Sequence, residues 1–176
     1  MKIYLAFLLL VVLSNLSYAD DFTETLKLAE QGYARAQSNL GLMYVRGEGV
    51  QQDYKTAVMW FTKAAEQGNA SAQYNLGNAY DNGKGVQQDY KTAVMWYTKA
   101  AEQGNASAQS NLAVMYGKGN GVPKNDKTAV MWNTKAAEQG VSRAQHNLGV
   151  SYSNGYGVQP DDKIAVMWYT KAAEQG

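Results

Sequence analysis

The side chains able to act as acids, bases or nucleophiles form no catalytic constellation in this sequence. The chain contains one histidine, His146, and no cysteine. Serine-type nucleophilic catalysis needs a serine and an acid arranged around a histidine, and a structural metal site needs several histidine or cysteine ligands. We therefore predict no catalytic residue, no metal site and no cofactor. His146 is interpreted as a partly exposed helix residue.

Pairs of glycines separated by one residue are a second pattern that could do chemistry. They lie at positions 47 and 49, 83 and 85, 119 and 121, and 155 and 157. A phosphate-binding loop would follow a strand and lead into Gly-Lys-Ser or Gly-Lys-Thr, and the sequence has neither feature at these places. The pairs are predicted to be turns between helices.

The segment AVMWFTKAAEQG, at residues 57–68, recurs almost unchanged every 36 residues. A unit of this length cannot bury its apolar face alone, so we expect the copies to stack into one elongated array. The predicted units are residues 33–68, 69–104, 105–140 and 141–176, preceded by a capping half-unit at 20–32. The chain ends on the last residue of a unit, as expected of a truncated array, a short variant, or an array with a partner at that end.

Each unit is predicted to form two helices joined by a glycine-rich loop. In the first helix, Ala36, Leu40 and Tyr44 fall on one face. The second helix begins after Asp53, whose carboxylate can accept hydrogen bonds from first-turn amides, and Gly68 ends it in a left-handed conformation. A new helix follows directly, so neighbouring helices are predicted to pack antiparallel. The fold class is therefore all-α.

Three recurring positions predict how these helices pack. A glycine lies inside the first helix at 41, 77 and 149, where it costs about 1 kcal/mol relative to alanine, so a neighbouring helix should approach closely there. Trp60 and its copies at 96, 132 and 168 are predicted to be packing residues, with an exposed aromatic ladder for sugars as the alternative. The position of Phe61, Tyr97, Asn133 and Tyr169 varies in type and is expected to be partly exposed.

The first nineteen residues have the pattern of an export signal. Lys2 supplies a positive end, residues 3–13 an apolar run, and Ser17-Tyr18-Ala19 a small-x-small cleavage site. A membrane anchor is the alternative, but the run is shorter than the roughly 20 residues that span a bilayer. We predict a signal peptide at 1–19, a periplasmic or secreted protein, and no membrane span after cleavage. Removing this segment takes away one lysine and no acid, which leaves 15 basic and 15 acidic residues. This balance disfavours nucleic acid as a partner.

The unit pattern A-x-A-Q-x-N-L-G-x-x-Y-x-x-G-x-G-V-x-x-D, followed by A-V-x-W-x-x-K-A-A-E-Q-G, resembles the Sel1-like repeat, a relative of the tetratricopeptide repeat. The resemblance implies an α-solenoid of about four helix-turn-helix repeats that form a right-handed superhelix, with the first helices lining its concave side. It also implies an adaptor or scaffold role, and contacts with host or envelope proteins for secreted bacterial members. The Helicobacter cysteine-rich relatives, which carry a disulfide in each repeat, are described as binding or hydrolysing β-lactams. This chain has none of those cysteines.

Comparison of the copies separates a constant face of the first helix from a variable one. Residues such as Ala36, Gln37, Asn39 and Leu40 do not change and are expected to stack the units. The changing positions fall on the opposite side and are predicted to bind a protein or peptide partner, although a solvated face would vary in the same way. The predicted partner-binding residues are Arg35, Ser38, Leu42, Tyr74, Asn78, Ser110, Val114, Arg143, His146 and Val150.

The most direct function for such an array is a non-enzymatic scaffold that binds a protein or peptide on its concave face. One alternative is a secreted β-lactam-binding hydrolase, but the motif Lys-Thr-Gly of such enzymes is not met, because Lys55-Thr56 leads into Ala57. Another alternative is a structural spacer of the cell envelope without a defined ligand.

Overall fold

The computed structural model describes residues 21–175, and the predicted signal segment at 1–19 lies outside them. Within this range all regular structure is α-helical. Residues 21–30 are helical and are called α1. The helices that follow are α2 (Ala34–Arg46), α3 (Tyr54–Glu66), α4 (Ala70–Asn82), α5 (Tyr90–Glu102), α6 (Ala106–Lys118), α7 (Asp126–Glu138), α8 (Ser142–Asn154) and α9 (Asp162–Ala173). The pairs α2–α3, α4–α5, α6–α7 and α8–α9 are units 1 to 4.

From α2 to α9, each helix packs against the helices that precede and follow it, and other pairs share marginal contact at most. Gln67, just past α3, donates from Nε2 to Oε1 of Gln37, near the start of α2 (2.7 Å). The middles of the same helices meet where Gly41 faces Phe61. The two helices of a unit therefore run antiparallel, and the prediction of an all-helical repeat array is confirmed.

The helix ends use the residues that the sequence indicated. The Asp53 carboxylate accepts hydrogen bonds from the amides of Lys55 and Thr56 (2.9 and 3.3 Å) and from the Thr56 hydroxyl (2.7 Å). In unit 3 an asparagine caps the equivalent helix: Asn125 accepts a hydrogen bond from the Thr128 amide (3.0 Å). These side chains satisfy amides that have no partner within their own helix.

The core is a row of leucines that repeats along the array. Leu40, Leu76, Leu112 and Leu148 are each at most 1% exposed. Around Leu76, the alanines of the preceding helix form one apolar cluster that joins unit 1 to unit 2. Burial of one leucine stabilises a fold by about 1.5–3 kcal/mol, and the small alanines let adjacent helices come close. Ala36, Gln37 and Leu40 of the constant face are buried and stack the units, as predicted, whereas Asn39 of that face is exposed.

A buried glutamine connects three helices at each junction. Gln37 donates from Nε2 to the carbonyl of Ala29 in α1 (3.1 Å) and accepts the hydrogen bond from Gln67. Equivalent bonds recur through Gln73, Gln109 and Gln145. The motif Ala-x-Ala-Gln thus adds a second hydrogen bond to a carbonyl at the end of the preceding helix, which also accepts from the glycine amide just past that helix.

The expectation that position 61 and its copies are partly exposed is wrong for units 1 to 3. Phe61, Tyr97 and Asn133 are 3%, 0% and 5% exposed. A Cβ atom on Gly41 would lie 2.5 Å from the Phe61 ring, so the ring lies directly on the glycine of the first helix. The prediction that these glycines mark a close helix approach is confirmed, and the same contact explains why position 61 is buried.

The glycine pairs form the turns between the helices of each unit, as predicted. Gly47 ends α2 with φ +72°, a left-handed conformation that glycine adopts readily. Gly85, the second member of the next pair, has φ +76°, and a Cβ there would lie 2.2 Å from the carbonyl oxygen of Tyr54. The second glycine therefore lets the loops of units 2 to 4 contact the start of the second helix of the preceding unit.

The tryptophans are packing residues in the first three units. Trp60, Trp96 and Trp132 are 7–9% exposed. Lys63 covers the Trp60 ring, with Nζ 4.4 Å from the centroid, and the copies of this lysine lie 4.4–4.8 Å from theirs. Buried rings covered by lysine stems offer no open ladder for sugars at these three positions.

Candidate binding groove

A groove lies between the first helices of neighbouring units. Between units 1 and 2 its walls are built by three helices: α2 contributes Leu42 and Val45, α3 contributes Val58, and α4 contributes Asn75 and Asn78. The cavity at this place has a volume of about 260 Å³. Aliphatic side chains and carboxamides thus face the same space.

Equivalent positions are open at two other junctions. Between units 3 and 4, the copies of the first set line a cavity of about 520 Å³ that includes Val114, Gly117 and Asn147. Where α1 meets α2, a cavity of about 330 Å³ includes Asn39 and Leu42. The three cavities use the same positions of first helices, so they lie along one side of the array. We call this surface the groove.

At the junction of units 2 and 3, polar side chains bond to one another across the groove. The Tyr97 hydroxyl oxygen lies 2.6 Å from Asn78 Oδ1 and 3.2 Å from Asp81 Oδ2. Asn111 donates from Nδ2 to the same Asn78 oxygen (3.0 Å). Burial raises the pKa of the Tyr97 hydroxyl, and the Asp81 carboxylate raises it further. The hydroxyl therefore stays protonated and acts as a donor.

Arg143 extends this network into unit 4. Its Nε and Nη2 atoms donate to Ser110 Oγ at 3.1 and 2.9 Å, and Nη2 also donates to Asn111 Oδ1. Hydrogen bonds to a charged donor are about twice as strong as those between neutral groups. The network therefore joins the first helices of units 2, 3 and 4 and shapes the groove between them.

The ten residues predicted to bind a partner lie in different surroundings. Ser38 and Ser110 are 3% and 0% exposed, so they present no surface to a partner, and we omit them from the groove. The exposed members are Arg35, Arg143 and His146, and the half-buried members are Leu42, Tyr74, Asn78, Val114 and Val150. Four of the half-buried residues line groove cavities, whereas Tyr74 packs against the Tyr97 ring at 6.1 Å. His146 packs against Tyr169 at 5.5 Å.

Sequence reasoning missed the asparagine that recurs in every first helix. Because this residue does not vary, the sequence pattern places it on the stacking face together with Leu40. Asn39, Asn75 and Asn147 instead line the groove, and Asn111 belongs to the network across it. The available signal was chemical: a constant carboxamide beside apolar positions indicates a hydrogen-bonding role.

Four segments of this helical array match the model of the Sel1 repeat, at residues 34–69, 70–105, 106–141 and 142–176. The chain belongs to the Sel1 repeat family. Sel1-repeat proteins generally mediate protein–protein interactions, and the repeat scaffold is generally non-catalytic.

Solved structures of other Sel1-repeat proteins resemble this one. A protective antigen of uropathogenic Escherichia coli with an SLR fold has a TM-score of 0.85 at 47% identity, over 88% of this chain and 33% of that one. A Sel1 repeat protein from Oxalobacter formigenes has a TM-score of 0.84 at 39% identity, over 90% and 65%. The Helicobacter pylori cysteine rich protein B has a TM-score of 0.59 at 25% identity, over 72% and 93%. The chain thus spans a third of the first protein and just under two thirds of the second.

Three further findings concern curated relatives, membrane spans and metal sites. A search of curated proteins gives no match. Among the helices at residues 21–175, none combines the length and the apolar character that crossing a bilayer requires. Over the same residues, histidine, cysteine and acidic side chains form no group of three that could hold a metal ion.

Proposed function

We propose that this chain is an exported, non-enzymatic scaffold that binds a protein or peptide partner along the groove of its Sel1 repeats. The groove itself carries the proposal: in unit after unit, an aliphatic side chain such as Leu42 or Val114 faces the same cavity as a carboxamide such as Asn75 or Asn147. Aliphatic groups supply apolar contact, and a carboxamide both donates and accepts hydrogen bonds. A peptide backbone with its side chains needs both kinds of contact.

A photo-crosslinking amino acid at position 42, used in the native host, tests the location of the site. We expect it to capture a partner that a crosslinker at position 59 does not capture. Met59 is 45% exposed, lies on the second helix and lines none of the three groove cavities. Capture of the same partner at equal yield from both positions would count against the groove.

A pair of substitutions then tests the contribution of the groove to affinity. Leu42→Glu places a charge among Val45, Val58 and Phe61 and should weaken binding of the captured partner at least about tenfold, as loss of a buried interface contact does. Met59→Glu is the matched control and should leave the affinity unchanged. Both variants should keep the helical circular dichroism of the parent. Equal binding by all three proteins would show that the partner binds outside the groove, whereas failure to capture any saturable partner would favour a structural spacer without a defined ligand.

Export is part of the proposal and has its own test. It rests on Lys2, the apolar residues 3–13 and the Ser17-Tyr18-Ala19 segment. Intact mass spectrometry of the protein recovered from the periplasm or the medium should show a chain that begins at Asp20. Recovery in the cytoplasm with residues 1–19 attached would contradict export.

Hydrolysis of nitrocefin by the purified protein separates the scaffold from the β-lactam hydrolase. We expect a rate equal to that of buffer. Hydrolysis that a single substitution abolishes, without loss of helical structure, would establish the enzymatic function instead.

A further inference from the structure

Unit 3 differs from the other units where the second helix meets the first. An aromatic ring occupies this position in units 1, 2 and 4, as Phe61, Tyr97 and Tyr169, whereas unit 3 has Asn133. A carboxamide is smaller than a ring, and it brings polar atoms into a position that the other units fill with aromatic carbon. Unit 3 therefore has a polar side chain where the other units have a ring.

The Asn133 carboxamide is buried with one of its polar atoms unpaired. Its side chain is 5% exposed, and Asn133 Oδ1 is the buried side-chain oxygen of residues 21–175 that lacks a hydrogen-bond partner. A buried acceptor without a partner destabilises the folded state. A donor from a bound molecule would remove that cost.

Asn133 is also a lining residue of the largest of the groove cavities that follow the repeat. The cavity between units 3 and 4 measures about 520 Å³, compared with about 260 Å³ between units 1 and 2. Three lining positions carry smaller side chains here than between units 1 and 2: Asn133 stands in place of Phe61, Gly117 in place of Val45, and Asp126 in place of Tyr54. We call this cavity the Asn133 pocket.

The walls and the mouth of the Asn133 pocket restrict the chemistry of a ligand. The lining residues include Ala113, Val114, Ala129, Val150 and Asn147. The aliphatic part of a ligand side chain therefore contacts apolar walls, and its polar end meets the carboxamides of Asn133 and Asn147. At the mouth, the Lys124 ammonium lies 3.4 Å from Asp126, and Lys118 adds a positive charge. A cationic side chain is repelled by that charge, and a carboxylate has no donor for Asn133 Oδ1.

We propose that the Asn133 pocket binds the carboxamide side chain of a peptide segment, glutamine or asparagine, that lies in the groove. This inference rests on the proposed function and names the partner chemistry at one point of the same surface. The ligand amide donates to Asn133 Oδ1, and its carbonyl accepts from the Asn133 or Asn147 amide. An uncharged group with both a donor and an acceptor matches the unpaired atom, the apolar walls and the charge at the mouth.

Nuclear magnetic resonance titration with blocked amino acids tests this chemistry directly. The probes are N-acetyl-glutamine methylamide and two controls of similar length, the corresponding glutamate and norleucine derivatives. We expect saturable shifts of the Asn133 and Asn147 side-chain amides with the glutamine probe, and binding at least about five-fold weaker for both controls, the effect of one neutral hydrogen bond. Equal responses to the three probes, or shifts with none of them because water alone fills the pocket, would overturn the proposal.

Two variants keep the test independent of folding. Ala113→Gly with Asn133→Phe recreates the pair that Gly41 and Phe61 form in unit 1, so this double variant should fold and should lose the response to the glutamine probe. Asn133→Leu keeps most of the side-chain volume without the carboxamide, so it should bind the glutamine and norleucine probes equally. An undiminished glutamine response in either folded variant would overturn the proposal.

The captured partner distinguishes failure of this inference from failure of the proposed function. If the double variant binds the partner as tightly as the parent does while Leu42→Glu weakens binding, the groove stands and the Asn133 pocket is not used. If neither change affects binding, the groove itself is not the binding surface. We expect both changes to weaken binding.

Discussion

Single residues set the distance between the two helices of each unit. A Cβ atom on Gly41, Gly77 or Gly149 would lie 2.5–2.6 Å from the ring that packs on it. Unit 3 replaces the glycine by Ala113 and the ring by Asn133. The extra methyl group and the smaller partner occur together, so this break in the apolar stripe of α7 has a steric explanation.

Gly41→Ala should destabilise the protein because the new methyl group enters space that the Phe61 ring occupies. Overpacking costs about 1–3 kcal/mol, of which roughly 1 kcal/mol is offset by the better helix propensity of alanine. Urea unfolding followed by circular dichroism measures the loss. In a Phe61→Leu background the loss should shrink, with a coupling energy of about 0.5 kcal/mol or more. An equal loss in both backgrounds would exclude the ring contact as its cause.

The capping carboxylates predict how stability responds to acid. The Thr56 hydroxyl, followed by the Thr56 amide, lowers the pKa of Asp53, and Thr92 does the same for Asp89. Because folding lowers these pKa values, the stabilisation is present above the unfolded value of 3.8 and is lost as pH falls through the lower folded value. Acid should therefore weaken these two caps.

Asp53→Asn with Asp89→Asn isolates this effect, since Asn125 shows that asparagine caps the equivalent helix. Between pH 6 and pH 3 the melting temperature of the double variant should fall less than that of the parent, because its caps do not titrate. Thermal melts followed by circular dichroism at both pH values provide the comparison. Identical losses would mean that other carboxylates cause the acid sensitivity.

At the scale of elements, the loops differ in whether they bear on a neighbouring helix. Gly85 and Gly104 both have positive φ, +76° and +88°. A Cβ on Gly85 would meet the backbone of Tyr54 at the start of α3, whereas a Cβ on Gly104 would have no atom within 4 Å. Gly104 is therefore required only for the left-handed conformation of the turn, whereas Gly85 is required for that conformation and for the contact between units.

Gly104→Ala should cost about 1–2 kcal/mol, the penalty for a left-handed residue with a side chain. Gly85→Ala carries the same penalty and must also move the loop away from α3, so its loss should be clearly larger. Urea unfolding of the two variants under the same conditions gives the comparison. Equal losses would show that the loop can shift away from α3 without weakening the stack.

At the scale of the whole molecule, the array is held together by contacts between neighbours in sequence. Such a protein behaves as a one-dimensional stack whose stability is a sum over units and their junctions. The bonded network from Tyr97 to Arg143 adds polar links over three successive units. No long-range contact closes the structure on itself across α2 to α9, so units should be removable from the interior.

Deletion of residues 70–105 should leave a folded three-unit array. The cut joins Asn69 to Ala106 and reproduces the local sequence that Asn105 has in the parent. We expect the same helicity per residue, a lower melting temperature, and a smaller urea m-value in proportion to the surface removed. Circular dichroism and urea titration measure all three. A non-cooperative, partly helical product would show that distant units depend on one another.

The sequence by itself was sufficient for the features that repeat or act locally. The 36-residue period is visible as direct repetition in the sequence. The caps at Asp53 and its copies and the left-handed end at Gly68 depend on residues within a few positions of each other. Hydrophobic periodicity and capping chemistry act over one or two helical turns. They therefore predict the helices, their ends and the burial of Leu40 and its copies without a structure.

Some helix positions lie at the edge between the buried side and the solvent-facing side. Only the tertiary structure decided which of these positions face the groove and which are buried. Phe61 is buried because the glycine of another helix lets its ring approach, and Asn75 and Asn147 line the groove although their sequence pattern matched the stacking face. The bonds of Tyr97 to Asn78 and of Asn111 to Asn78 join residues 19 and 33 positions apart. Such contacts form only at particular distances between helices. One added or missing methyl group changes that distance enough to bury a side chain or to leave it facing the groove.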